Sequence, residues 1–453
     1  MRARSLASVA AATGGRAVGE DVTVTGASTD SREVDPGDLF VALAGDRVDG
    51  HRYVGRAFES GAAAAMVGIE GSWGGPVVVA ADTRRALLDL AADERRSMAA
   101  TVVGITGSTG KTSVKDLAAA VLSARYRVAA SPRSFNTEVG LPLTLLSADA
   151  GTEVVVCEMG SRGRGHIRLL CEVARPSVAV VTTVGLAHME MFGTLEAVAD
   201  AKAELVESLP SDGTAVLSAD DPVVRGFAER TAARVLLFGT AEDADVRVED
   251  VVLDRLGRPA FTLRTPEATE RVELAVSGEH MARNAAAAAA CGVALGLTAG
   301  ECAAGLKEAR VSSWRMETFE GAGGVTVVND AYNANPTSMA AALKTARWIA
   351  ERGRCVAVLG EMAELGAVAA GEHERVGELV ARLGIDELVT VGSAARGIAA
   401  GAVREGVEPD RITAVGSMEE ALEVVRRIIR PGDVVLVKGS RVAGLERLAE
   451  ALR

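Results

Sequence analysis

No Cys-x-x-Cys pair, no framework spacing of cysteines and no fixed-period repeat occurs in this chain of 453 residues. The five cysteines, at 157, 171, 291, 302 and 355, are odd in number and scattered. That argues against a disulfide scaffold and predicts reduced thiols in a cytoplasmic protein. Cationic side chains are in deficit too: 49 Lys and Arg against 61 Asp and Glu leave a net charge of −12. Nucleic acid is therefore not an expected partner, because its phosphates need clustered Lys and Arg. Long apolar runs are missing as well. The Ala tract 285–290 is too short and too weakly apolar to span a bilayer, so it reads as a close-packed helix and no membrane insertion is expected. The start, MRARSLASVAAATGG, imitates an export signal. Its apolar part is Ala-dominated, broken by Ser and Thr and without a clear cleavage pattern, and export is not expected.

What is present is a hydrophobic content of 48% and 49 glycines, which suit an α/β protein with many tight turns. The length allows about three domains. Residues 1–98 alternate short strands (39–43, 77–79) with Ala-rich helical segments (56–65, 84–100). Residues 99–312 carry nearly continuous apolar runs at 102–105, 154–156, 178–181, 215–217 and 235–238, as parallel strands covered on both faces do. Residues 245–276 alternate and read as antiparallel. Residues 313–453 start with the strand 325–328 and continue through 356–359, 388–391 and 434–437 as a Rossmann-like sheet. No G-x-G-x-x-G follows its first strand, so no dinucleotide is expected there.

The densest chemical signal is GITGSTGKTSVK, from Gly104 to Lys115. A β-branched run feeds a Gly-rich turn, and Lys111-Thr112-Ser113 opens an Ala/Leu-rich helix. Successive backbone N–H groups in such a turn wrap an anion, and the helix N-terminus adds its dipole. Lys111 is placed to reach terminal phosphates and Thr112 to ligate Mg²⁺. Gly104 and Gly110 are separated by five residues, so the working pattern is TGSTGKT rather than the strict G-x-x-x-x-G-K-[ST].

Open parallel sheets bind ligands beyond the carboxyl ends of their strands. Glu158 ends one apolar run and His188 follows another, so both are expected beside Thr112 as a Mg²⁺ site. Lys202 lies in the helical segment 195–208, spaced to face inward. A buried lysine has a depressed pKa and, as a free amine, can take up CO₂ as a carbamate. By spacing alone a solvated helical lysine is the stronger reading. Asn136-Thr137-Glu138 alone reads as a plain helix cap before Gly140-Leu141-Pro142. In the third block, Asp330-Ala331-Tyr332-Asn333-Ala334-Asn335-Pro336 and Val437-Lys438-Gly439-Ser440-Arg441 each follow a strand. Ligand binding and solvated turn chemistry are equally good readings of either cluster alone.

Together these residues resemble the Mur ligases of peptidoglycan synthesis, over essentially the whole chain. The pattern Thr29-Asp30-Ser31-Arg32 with 36–43 and Asp49-Gly50-His51 is similar to the uridine-nucleotide-binding domain of that group. TGSTGKTS, NTEVGLPLTLL, CEMGSRGRGHI and GLAHMEMFGT carry the resemblance in the middle block, followed by Gly278-Glu279-His280 and Asn284. DAYNANPTSM at 330–339 and LVKGSR at 436–441 look like the dipeptide-adding branch. The Asp-Asn-Pro-Arg motif of the diaminopimelate-adding branch is absent.

The resemblance implies three domains: 1–98 binding a UDP-substrate, 99–312 a P-loop ATPase-like unit, and 313–453 binding the acceptor. It implies an ATP- and Mg²⁺-dependent amide ligase, expected as a monomer. Its substrates are UDP-N-acetylmuramoyl-tripeptide and D-alanyl-D-alanine. It implies that Gly107, Ser108, Thr109, Gly110, Lys111, Thr112 and Ser113 hold the phosphates, Asn284 the adenine, and Arg315 and Asp330 the nucleotide from the third block. Thr112, Glu158 and His188 are implied at Mg²⁺, with Lys202, if carbamylated, at a second ion. Ser31 and Arg32 fall to the uridine nucleotide, and Asn136 and Thr137 to the muramoyl part. Tyr332, Asn333, Asn335 and Lys438 fall to the dipeptide. Rival readings are a sister ligase adding one amino acid, a folate polyglutamate synthase, which lacks the 29–51 pattern, and a nucleotide-binding regulatory protein.

Overall fold

The Val-rich runs of the middle block form strands because each is buried on both faces. Val103, Ile105, Val154, Val156, Val178 and Val180 enter one apolar core, while Val102, Val155, Cys157, Ala179 and Val181 enter another on the opposite side. This is the period-two alternation of a strand with no wet face. In the computed structural model, which describes residues 1–45, 48–351 and 353–453, they belong to a nine-stranded sheet. Its order is Thr269–Glu273, Pro259–Arg264, Val246–Leu253, Arg234–Gly239, Thr214–Ser218, Val178–Val181, Thr101–Thr106, Val154–Glu158, Val128–Ala130. Pairing is parallel except at the two ladders joining the last three strands in sequence. The expected antiparallel stretch is therefore present.

Residues 16–79 form a five-stranded sheet in the order Arg16–Val18, Val77–Val79, Ala64–Val67, Asp38–Val41, Gly26–Ser28, parallel but for its first pair. Here the sequence reading needs correction. The helix expected at 56–65 ends at Glu59, and Ala64–Val67 is a strand. All four residues are buried between parallel neighbours, and that burial overrides the helix preference of alanine. The helix expected at 84–100 runs Thr83–Arg96, capped by Asp82.

The third sheet has the order Glu317–Gly321, Val325–Asn329, Val434–Lys438, Cys355–Gly360, Glu387–Val391, Ile412–Val415, with only the first pair antiparallel. Its two outer strands, Glu317–Gly321 and Ile412–Val415, were absent from the sequence reading. Each has exposed or half-buried positions and no apolar run to mark it.

The Ala tract lies in the helix His280–Ala294, with Ala285–Ala290 buried against the helix Lys111–Leu122. Apolar packing continues from there through Val328 and Met339 into the third block. On the other face it continues from Leu6 and Leu87 of the first block into the middle sheet. Among the described residues no helix is long and apolar enough to cross a membrane.

Candidate active site

The carboxyl ends of Thr101–Thr106, Val154–Glu158 and Val178–Val181 open into one cleft of about 1160 Å³ between the middle and third sheets. The Gly-rich turn forms its floor. Gly107 (φ +150°) and Gly110 (φ +81°) adopt conformations closed to side chains. A Cβ at Gly107 would stand 1.9 Å from Thr182 Oγ1, and one at Gly110 would stand 2.9 Å from Asn284 Oδ1. The Ser108 N–H donates to Thr183 O at 2.8 Å and the Thr109 N–H to Thr183 Oγ1 at 3.2 Å, so the turn is held before any ligand arrives. The helix Lys111–Leu122 begins at Gly110 with no side-chain cap, leaving its first N–H groups facing the cleft. Lys111 Nζ donates to Gly107 O at 2.7 Å. Burial pushes the pKa of Lys111 down; Glu158 opposes that shift and Arg315 adds to it.

Thr112 Oγ1 lies 2.7 Å from Glu158 Oε2 and 2.9 Å from Ser134 Oγ. The other Glu158 oxygen accepts from Asn136 Nδ2 at 2.8 Å, and Glu158 is only 1% exposed. Asn136 is thus not the plain helix cap of the bare sequence reading. The helix Gly140–Ser147 has no side-chain cap, and the Asn136 amide is bonded to the Glu158 carboxylate instead. A buried carboxylate beside two hydroxyls is the oxygen donor set a hard cation prefers, so these residues fit Mg²⁺. Among the described residues no group of three His, Cys, Asp or Glu side chains gathers as a metal site.

His188 lines the same cleft with a left-handed backbone (φ +57°), and its Nδ1 is bonded to the carboxylate of Glu364 from the third block. Burial and then Lys111 lower its pKa, while Glu364 works in the other direction. Lys202 is buried in the helix Leu195–Glu207. Burial, then the charge of Lys111, hold its pKa well below the ordinary lysine value, as an inward-facing lysine requires.

The third block closes the cleft. Arg315, between left-handed Trp314 and Met316, donates to Ser134 Oγ at 3.0 Å and stacks on Tyr332 with its guanidinium carbon 4.2 Å from the ring centre. Asp330 Oδ1 accepts from the Met316 N–H at 3.1 Å. The other oxygen of Asp330 is paired with Lys438, which also donates to Asn333 O at 2.9 Å. Lys438 is 1% exposed, so its ammonium braces the 330–335 loop from within. Asn335 caps the helix Pro336–Ala350 by accepting from the Ser338 N–H at 2.9 Å. Ser31 and Arg32 stand apart from the cleft. Ser31 is buried with its carbonyl bonded to Ser60 Oγ at 3.2 Å, and exposed Arg32 is paired with Asp30.

Three cleft residues were given no role from the sequence. Ser134 joins Thr112 to Arg315; its signal was a place two residues before Asn136. Glu364 follows the buried strand Cys355–Gly360, which is the same cue that marked Glu158. His280 lines the cleft, where burial lowers its pKa to about 4 against the pull of Asp330.

Comparison with known proteins gives one answer along the chain. Models described as the Mur ligase family catalytic domain, the Mur ligase middle domain and the Mur ligase glutamate ligase domain match residues 23–98, 105–292 and 314–441. A UDP-N-acetylmuramoyl-tripeptide–D-alanyl-D-alanine ligase of Mycobacterium bovis is 43% identical over 464 aligned residues, covering 93% of this chain and 91% of that protein. A crystal structure of MurF from Acinetobacter baumannii superposes with a TM-score of 0.88 at 29% identity, covering 100% of this chain and 99% of that one. MurF of Thermotoga maritima in complex with ADP gives 0.79 at 30% identity, covering 95% and 97%.

Proposed function

The chain belongs to the Mur ligase family, and from that premise we propose that it joins D-alanyl-D-alanine to UDP-N-acetylmuramoyl-tripeptide at the expense of ATP. The observation that carries this reading is the meeting, in one cleft, of the 108–113 loop with Glu158 and the 330–335 segment. A carboxylate is a poor acyl donor because its leaving group would be oxide. The terminal carboxylate of the tripeptide attacks the γ-phosphorus of ATP, forming an acyl phosphate and releasing ADP; the dipeptide amine then attacks the acyl carbon, gives up a proton, and phosphate departs. The protein's part is positioning and charge neutralisation, as phosphoryl transfer generally demands.

Gly107 to Ser113 cradle the phosphates in this reading, with Lys111 at the terminal group and Asn284 toward the adenine. Arg315 and Asp330 reach the nucleotide from the third block. Thr112, Glu158 and His188 would hold Mg²⁺, which would neutralise phosphate charge. Lys202, whose pKa is held down by burial, would take up CO₂ with loss of a proton and so supply an anion for a second ion. Asn136 and Thr137 lie toward the muramoyl part, and Ser31 and Arg32 toward the uridine nucleotide in a first unit ending near 98. The third unit, from about 313, receives the dipeptide through Tyr332, Asn333 and Asn335, with Lys438 acting through the loop it braces. The five free, buried cysteines fit a reducing cytoplasm, and the active form is proposed to be a monomer.

The test is amide formation followed by mass, from ATP, the UDP-tripeptide and D-alanyl-D-alanine. Lys111→Ala is expected to abolish the product, and substantial residual activity refutes the phosphate assignment. Acceptance of single amino acids in place of the dipeptide reassigns the chain to a sister branch. ATP turnover independent of both substrates points to a regulatory protein.

A further inference from the structure

Glu364 has no part in the reading above, yet the fold holds its carboxylate against His188 with unusual care. The loop after the strand Cys355–Gly360 is pinned on three sides. The Met362 N–H donates to His373 Nε2 at 2.9 Å, and the buried His373 ring is itself fixed by Ala369 O at 2.7 Å. The Ala363 N–H donates to Ser440 Oγ at 2.8 Å, and the Ser440 N–H returns a bond to Glu361 O at 2.9 Å. Across the cleft, the Glu190 N–H donates to Glu364 O at 3.0 Å while the Glu364 side chain takes His188 Nδ1.

Glu364 (φ +63°) and His188 (φ +57°) are both non-glycine residues in the left-handed region. Such strain persists only where the surroundings over-determine it, and it clusters at functional sites. Gly366 completes the fit. At φ +57°, a Cβ there would stand 3.0 Å from Glu190 Cα and 3.2 Å from its N, so a side chain would be strained and would crowd the segment that carries His188.

We propose that Glu364 is a positioning residue for His188, supplied by the third block to complete the cation-binding face of the middle block. The proposal rests on the functional reading above. A carboxylate accepting from Nδ1–H fixes the ring tautomer and leaves the Nε2 lone pair free for a cation, which is how outer partners orient metal-binding histidines. Here the partner comes from a different block. Seating the acceptor-binding unit and finishing the phosphate site are therefore one event, and a detached third block leaves His188 free to take the other tautomer.

The test uses the full chain labelled with ¹⁵N-histidine; five histidines are few enough to assign His188 by comparison with His188→Gln. Long-range ¹H–¹⁵N spectra of the metal-free protein are expected to show His188 protonated at Nδ1. Glu364→Ala is expected to shift it toward the Nε2-protonated form, while Glu364→Gln, which keeps an acceptor oxygen, holds the original tautomer. In parallel, Glu364→Ala should raise the Mg²⁺ concentration needed for half-maximal activity by roughly tenfold or more, as loss of such outer partners does. The KM for the UDP-tripeptide should stay unchanged. An Nε2-protonated His188 in the unmutated protein, or an identical tautomer in Glu364→Ala, overturns the proposal. So does an unshifted Mg²⁺ requirement with a lower melting temperature, which would make Glu364 a mere strut. Failure of the unmutated protein to form amide refutes the functional reading instead, and the spectra still decide the role of Glu364.

Discussion

Replacing Lys438 by methionine separates two roles for this residue, brace of the 330–335 loop or direct contact to the dipeptide. Its ammonium is almost fully enclosed and pairs with Asp330, whose side chain is 14% exposed. Removing one partner of a buried pair costs about 3–5 kcal/mol, because the other charge stays behind unpaired. Asp330 keeps some access to water and the Met316 N–H, and the carbonyl of Asn333 loses a donor. The lower end, about 3 kcal/mol, is therefore expected. For a unit the size of the third block that corresponds to a fall of roughly 10 °C in melting temperature. Tryptophan fluorescence follows it, since Trp314 and Trp348 both lie in the third block and only Trp73 in the first. Adding Asp330→Asn should recover about 0.5–3 kcal/mol, the coupling typical of residues in direct contact. A Lys438→Met protein that melts within about 1 °C of the parent, with a much raised KM for D-alanyl-D-alanine, would refute the brace and make Lys438 a direct ligand.

His280 should make stability depend on pH. Its pKa is about 4 in the fold and about 6.5 when unfolded, so the unfolded chain takes up the proton first as pH falls. Its contribution is complete above pH 6.5, is lost between 6.5 and 4, and totals about 3 kcal/mol. Urea titrations at pH 7 and 4.5 should show this loss reduced in His280→Phe, and equal losses in both proteins would refute it. Gly107→Ala should weaken ADP binding roughly tenfold or more by calorimetry, because its Cβ would meet Thr182 Oγ1 at 1.9 Å; unchanged affinity would show that the turn relaxes.

The middle sheet was readable because burial on both faces leaves short, unbroken, β-branched runs such as Val154-Val155-Val156-Cys157, whereas the equally unbroken but Ala-rich tract 285–290 is a helix. The same cue located Glu158, at the carboxyl end of the 154–157 run. Ala64–Val67 escaped because alanine speaks for helix until neighbouring strands enclose it. Glu317–Gly321 escaped because an edge strand with a wet face needs no continuous hydrophobicity. Within the cleft, Lys111 and Thr112 announce themselves through local pattern, whereas Asn136 reads locally as a helix cap and only the family resemblance points to it. The Ser134–Arg315 and His188–Glu364 contacts join residues 181 and 176 positions apart, and only the closing of two sheets on each other brings those together. Lys438 ends its strand as the sequence predicts, but a sequence cannot reveal that its ammonium turns inward to Asp330.

All five cysteines are free and buried, and burial raises each thiol to about 12. Only the thiolate reacts with alkylating probes, so the native chain is close to silent toward a maleimide at neutral pH. An experimenter therefore starts from a background that usually has to be engineered. Single cysteines at exposed Ile69 in the first block and Val403 in the third can be labelled selectively without stripping the native thiols from the core. A fluorophore pair at those two positions turns the separation of the first and third blocks into a signal readable during turnover.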